Sequence, residues 1–216
     1  MIISHDHAEY RQKWQSAGVN QYNGAFYYSK EIVKNIIPNV KTDRNWITVN
    51  VRGVGCDHAI VFIHNNLHPE NYAWLKQYDD LILVCGVRET VQKVEHLGRA
   101  IYLPLSIDTE YVRQFRVEGK TKDTAFVGRK SKMRLGTLPD GIDYLHGIRR
   151  QKLLPMVAEY RKIFGVGRVA IEAKCLGCKI LAYDPRFPNP SVWKVLDNRD
   201  AAKMLQRQLD KIDGRK

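Results

Sequence analysis

The stretch GVGRVAIEAKCLGCKILAYD, residues 165–184, concentrates the residue types in this chain that could do chemistry. Gly165 and Gly167 stand two apart ahead of a helical pattern, Arg168 and Glu172 stand four apart, and Cys175 and Cys178 form a CxxC. Each pattern names a different chemistry. A glycine turn that opens a helix leaves backbone N–H groups free for a phosphate. A CxxC can hold zinc or cycle through a disulfide. An Arg–Glu pair at i, i+4 on a surface is an ordinary ion pair, worth about 0.2–0.5 kcal/mol.

Two of these readings lose their context. A dinucleotide fingerprint needs a strand before its glycines and a third small residue after them. Here a helical pattern runs from Arg149 to Phe164, right up to the turn, and the third position is Ala170. The CxxC has no second pair and no histidines at finger spacing. Gly177 falls where a helix closes, whereas a redox CxxC opens one. Cys175 and Cys178 therefore read as packing residues, and no metal is expected. What remains is a short helix over 168–176 whose first amides, at Gly167, Arg168 and Val169, can receive an anionic phosphate. Glu172 lies one turn further on and can accept hydrogen bonds from two neighbouring hydroxyls, as on a ribose.

The elements that must position these residues read as α/β. NWITVNV alternates, AIVFI and LILVC are continuous apolar runs, and AIYLPL follows the helical pattern RETVQKVEHLG. Short β-branched runs spaced by helices are what parallel strands buried on both faces look like. HPENYAWLKQY supplies another helix, with Pro69 at its first position. The charged stretch IDTEYVRQFRVEGKTKD then separates an N-terminal lobe, 1–115, from a C-terminal lobe, 116–216. The second lobe reads as strand TAFVG, basic loop, strand within GIDYLHG, two helices, strand KILAY and an amphipathic helix from Arg199 to Ile212. The expected fold class is α/β, with two small Rossmann-like lobes built on parallel sheets.

Thirty-five Lys and Arg against 23 Asp and Glu give a net charge of +12, which points to an anionic partner, either a small phosphorylated ligand or a polyanion. The start, MIISHDHAEYRQKWQ, has no apolar run behind a basic head, and no segment approaches the roughly 20 apolar residues of a membrane span. Four unevenly spaced cysteines fit no disulfide framework. The expectation is a cytoplasmic protein in a reducing compartment.

Residues 165–184 also resemble the nucleotide-binding segment of glycosyltransferases with the GT-B fold, which carries a small-residue loop, a helix bearing a glutamate, a glycine turn and a strand. LLPMVAEYRKIF is similar to the helix that family places before this loop, AIYLPLSIDTEYV to its hinge-proximal strand and aspartate turn, and TAFVGRKSKMR to its strand and basic loop. The resemblance covers roughly residues 100–184 and implies a glycosyltransferase with a nucleotide-sugar co-substrate, such as a UDP-sugar, and no cofactor. By it, Glu172 holds the donor ribose, Arg129 and Lys132 neutralise the departing diphosphate as catalytic groups, and the amides of Gly167, Arg168 and Val169 complete the cradle. Where the family often carries an acid eight positions before the ribose glutamate, this chain has Phe164, and the chain is shorter than is usual for the fold.

In the N-terminal lobe, QYNGAFYYSKEIV puts Gly24 before a helical pattern, similar to the family's glycine loop on the acceptor side. FIHNN ends a buried strand with polar residues, which makes His64 a candidate general base or sugar contact. His64 and His68 have no evident third metal ligand. With the basic surplus, the candidate acceptor is a nucleic acid carrying a hydroxylated base, as in phage-type DNA glycosyltransferases of this fold. The alternative is a non-catalytic nucleic-acid-binding protein that stacks bases on Trp14, Tyr27, Tyr28, Tyr72 and Trp74.

Overall fold

A computed structural model describes residues 1–4, 24–49, 51, 53–63 and 69–214 of the chain. The chain divides into two compact units: Met1–Leu105 together with Asn198–Lys216, and Ser106–Asp197. Each is α/β and is built on one parallel sheet.

The first sheet holds β1 (Ile2–Ile3), β2 (Asn45–Ile47), β3 (Ala59–Ile63), β4 (Leu81–Cys85) and β5 (Arg99–Tyr102), side by side in chain order. The continuous runs AIVFI and LILVC are explained by burial on both faces. Val61, Ile63, Leu83 and Cys85 pack in one cluster with Tyr72, Leu75, Val94 and Leu97. On the opposite face Ile60, Phe62, Ile82 and Val84 are also at most 3% exposed. Each such side chain contributes about 1.5–3 kcal/mol by leaving water. The connections are α1 (Gly24–Glu31), which continues into a π turn and a 3₁₀ turn, a 3₁₀ helix over Pro69–Gln77, and α2 (Arg88–Val94).

The second sheet holds β6 (Lys122–Val127), β7 (Asp143–Leu145), β8 (Tyr160–Phe164) and β9 (Lys179–Leu181), in the spatial order β7-β6-β8-β9. Its helices are α3 (Thr109–Arg113), α4 (Arg150–Ala158) and α5 (Arg168–Cys175). Asp108 caps α3 by accepting from the Tyr111 N–H at 2.9 Å. A left-handed glycine closes α5: Gly177, at φ +80°, donates to Lys174 O, and Cys178 donates to Ala173 O. That pair of bonds satisfies the last helical carbonyls and turns the chain into β9.

Four elements differ from expectation. The helical pattern from Arg149 to Phe164 is α4 followed at once by β8, with Glu159 alone between them. YRKIF carries no Gly or Pro to mark the break; it becomes a strand because β6 and β9 hydrogen-bond to it on either side. The stretch 106–115, expected in the first lobe, belongs to the second unit, where Ile107 bridges Asp197. The last helix, α6 (Asn198–Ile212), belongs to the first unit. Its stripe Ala201, Ala202, Leu205 and Leu209 is buried, and Asn198 donates to Glu31 in a buried hydrogen bond of 2.9 Å. The helix Pro69–Gln77 forms as 3₁₀ rather than α. No helix among the described residues is long and apolar enough to cross a membrane.

Candidate functional site

The order β7-β6-β8-β9 contains a reversal. From β6 the chain moves outward to β7, then returns to lay β8 on the other side of β6 and β9 beyond it. The connections from β6 and β8 thus lead to strands on opposite sides, and the crevice at such a switch point is where open parallel sheets bind ligands. The first sheet runs in chain order and has no such reversal among the described residues.

Two glycine loops border this crevice. Gly128 follows β6, and a Cβ on it would stand 3.0 Å from the ring of Phe126. Gly165 follows β8, and a Cβ on it would meet Val169 Cγ1 at 2.9 Å. Gly167, at φ +66° and ψ −136°, is the N-cap of α5, a conformation that only glycine adopts without strain. It has no side chain to cap the helix, and no acid stands in the first turn. The free amides of that turn, with the positive end of the helix dipole, follow directly on the carboxyl end of β8.

The context denied to the GVG turn is thus present: it follows strand β8 and opens helix α5. Ala170, at the third fingerprint position, is fully buried, as close helix–sheet packing requires.

The basic loop after β6 closes over this turn. Arg129 leads into a 3₁₀ helix, Lys130–Leu135, and Gly136 then packs against the chain leaving β9. A Cβ at Gly136 would lie 1.6 Å from Tyr183 O, so only glycine fits. Because β8 lies between β6 and β9, a loop that starts at β6 and touches the exit of β9 must span the carboxyl end of β8. Beneath its far end Asp184, 1% exposed, is held by Arg186 through Oδ1–Nε at 2.9 Å and Oδ2–Nη2 at 2.6 Å. The Arg186 hydrogen bonds hold the Asp184 carboxyl below its usual range against the opposing effect of burial, and the Lys132 charge adds to the lowering. Lys132 is half-buried; its pKa is depressed first by desolvation and then by the charges of Arg129 and Arg186, with Asp184 opposing. Arg186 and Lys132 thus act on Asp184, and Arg129 and Arg186 act on Lys132, whose charge a further anion would favour.

Glu172 stands on the next turn of α5. Its Oε1 accepts hydrogen bonds from Arg168 Nε and Arg150 Nε, both at 2.9 Å, and Arg150 Nη2 stands 2.9 Å away as an ion-pair contact. The expected surface pair of Arg168 and Glu172 forms, but inside the protein: they are 5% and 6% exposed. Arg150, from the start of α4, also lies over the ring of Tyr111, 5.0 Å from its centroid. Two guanidinium groups share this one carboxylate, one turn from an uncapped helix start.

The structure therefore brings Gly167, Arg168, Val169 and Glu172 to one side of the crevice and Arg129 and Lys132 to the loop across it. Gly24 is the first residue of α1 in the other unit. His64, His68 and Trp14 lie outside the described residues. Of the aromatics proposed for base stacking, Tyr28 and Tyr72 are buried at 3% and 7%. Phe164 ends β8 with its ring against Tyr183, so an apolar contact occupies the place of the family's acid.

Arg150, Asp184 and Arg186 were missed. The local signal for the last two was the triplet Asp-Pro-Arg after a strand, whereas Arg150 sat unmarked within RRQK. Cys175 and Cys178 are buried free thiols, donating weakly to Thr109 O and Val157 O, and burial pushes both pKa values up. Among the described residues no group of three His, Cys, Asp or Glu stands together as a metal ligand set. The second unit carries 18 Lys and Arg against 10 Asp and Glu, so eight of the chain's twelve surplus positive charges lie in it. Comparison with protein families, with curated proteins and with solved structures gave no match.

Proposed function

We propose that the second unit binds a nucleoside diphosphate-linked sugar and that the protein is a glycosyltransferase of the GT-B kind. The observation that carries this reading is the uncapped start of α5 at the β6/β8 crevice, under a loop bearing Arg129 and Lys132. A diphosphate in that place meets amide donors on one side and cations on the other. The Oε2 oxygen of Glu172, which takes none of the three arginine contacts, is the acceptor for the ribose hydroxyls. In the reaction the bond from the sugar to the diphosphate oxygen breaks, a bond to the acceptor oxygen forms, and the acceptor proton passes to a base. Arg129 and Lys132 stabilise charge on the departing diphosphate, so catalysis rests on positioning and electrostatics. The acceptor that suits the basic surplus is a nucleic acid with a hydroxylated base.

A second reading is favoured by one observation: strand β8, GVGRVA and helix α5 have the order of a dinucleotide site, and Asp184 follows 19 residues after Gly165, where such sites carry a ribose-binding acid. Both oxygens of Asp184 are occupied by Arg186, which disfavours it. A thermal-shift series with nucleoside diphosphates, their sugars, NAD and NADP separates the readings, since a ligand of the folded form raises the melting temperature. Stabilisation by a dinucleotide and by no nucleoside diphosphate would overturn the glycosyltransferase reading. If instead only nucleic acid binds, with affinity falling steeply as salt rises, the protein is the non-catalytic binder.

A further inference from the structure

Tyr183 follows β9 at the edge of the second sheet, two residues past its last strand residue, Leu181. Its ring meets those of Phe126 at 5.4 Å and Phe164 at 6.3 Å, both edge to face. Phe126 and Phe164 are register partners on β6 and β8. A ring that starts at the exit of β9 reaches Phe126 only by lying across the end of β8. That sets it against the last residues of both strands, one residue before Gly165 on β8 and two before Gly128 on β6. Its own carbonyl abuts Gly136 at the end of the basic loop, and the next residue is Asp184 with its Arg186 and Lys132 neighbours.

The hydroxyl of this ring is buried and has no hydrogen-bond partner among the described residues, in a residue 8% exposed. Burial pushes its pKa up to about 12, so it keeps its proton and acts as a donor. An unmet buried hydroxyl destabilises a fold, and phenylalanine would fill the same space without that cost. A hydroxyl with no partner among the described residues is free to donate to a ligand. Arg129 and Lys132 lie on the loop that ends against the Tyr183 carbonyl, and cations there suit anionic ligand oxygens.

We propose that Tyr183 is a ligand-contacting residue whose hydroxyl donates to a phosphate oxygen of the nucleoside diphosphate bound at the β6/β8 crevice. This rests on the reading of the crevice as a nucleoside diphosphate site. It gives the site a neutral donor beside its cations, just past β9, where the family resemblance supplied no residue.

The test is Tyr183→Phe in the full chain, with melting temperature measured without ligand and affinity measured by calorimetry for uridine diphosphate, inorganic pyrophosphate and uridine. The variant is expected to melt at the same temperature as the parent or up to about 4 °C higher, because an unmet polar group is removed. Its Kd for the diphosphate and for pyrophosphate is expected to rise about tenfold, which is about 1.4 kcal/mol. Uridine alone should be unaffected. Unchanged affinity for both phosphates overturns the proposal while leaving the crevice reading intact. A lower melting temperature also overturns it, since the hydroxyl would then have a partner within the protein. A loss confined to uridine moves the contact off the phosphates and overturns the assignment. If the parent protein binds neither diphosphate nor pyrophosphate, the crevice reading and the proposal fall together.

Discussion

Glu172→Ala tests the internal ion cluster on which the candidate site is built. In the folded protein Glu172 is 6% exposed, Arg168 5%, and the Arg150 side chain 11%, and all three contacts to Oε1 are 2.9 Å long. Removing the carboxylate leaves two guanidinium groups largely out of water with no counter-charge from this position. Breaking a buried pair in that way costs about 3–5 kcal/mol, against a few tenths for a surface pair. The chain has two units that can unfold separately, so the loss should be read from the second one. Trp193, buried at 4% in that unit, reports on its packing. Urea unfolding followed by its fluorescence, with Trp14, Trp46 and Trp74 replaced by phenylalanine in parent and variant alike, should lose about 3–5 kcal/mol of stability. A control carrying Arg150→Met, Arg168→Met and Glu172→Leu together should come close to the parent, because an apolar cluster needs no counter-charge. If Glu172→Ala loses less than about 1 kcal/mol, the arginines are solvated and the cluster is a surface feature after all. Diphosphate affinity, taken well below the variant's melting temperature, should fall by about 1.5–3 kcal/mol. Equal affinity would remove Glu172 from the ligand site.

Arg129→Ala should lower turnover more than donor affinity, with lysine rescuing only part of the loss, because a point charge does not reproduce a forked diphosphate contact; unchanged kcat would remove the leaving-group role. Gly136→Ala drives a Cβ into Tyr183 O and should cost about 3 kcal/mol or more while abolishing pyrophosphate binding, both read by thermal shift. His58 and Asp80 are both left-handed and joined side chain to side chain; the Asp80 hydrogen bond raises the His58 pKa and the same bond lowers that of Asp80. The stability from His58 is complete below about pH 6.5 and lost as pH rises through its raised value, whereas that from Asp80 is complete above about pH 4 and lost as pH falls through its lowered value. His58→Asn should therefore cost most between about pH 4 and 6.5, by no more than about 1 kcal/mol for an exposed pair, and a difference that grows above pH 8 would contradict this. Cys56, half-buried, should alkylate before Cys85, Cys175 and Cys178, whose thiols are buried in the folded state; mass spectrometry of partly labelled protein gives the order.

The strands AIVFI and LILVC were legible because burial on both faces leaves a sequence mark, a run without alternation. The turn at Gly177 was legible because closing a helix into a strand calls for a left-handed residue, and the start of α5 because glycines preceded it. YRKIF was not, since its apolar spacing suits a helix continuing from α4 as well as a strand, and the choice was made by hydrogen bonds to β6 and β9. Misreading that strand also hid the strand–turn–helix context of GVG.

By itself, then, the sequence determined the local periods, the caps, the basic surplus and the alternation of strand and helix, because these depend on neighbours within a few residues. The strand order with its reversal, the placing of α6 with the first unit, the inward turn of the Arg168–Glu172 pair and the meeting of Arg129, Lys132, Asp184 and Arg186 were decided only by the tertiary structure. Arg150 and Glu172 are 22 residues apart and Lys132 and Asp184 are 52, and no local propensity acts over such distances; packing of the second sheet brings them together.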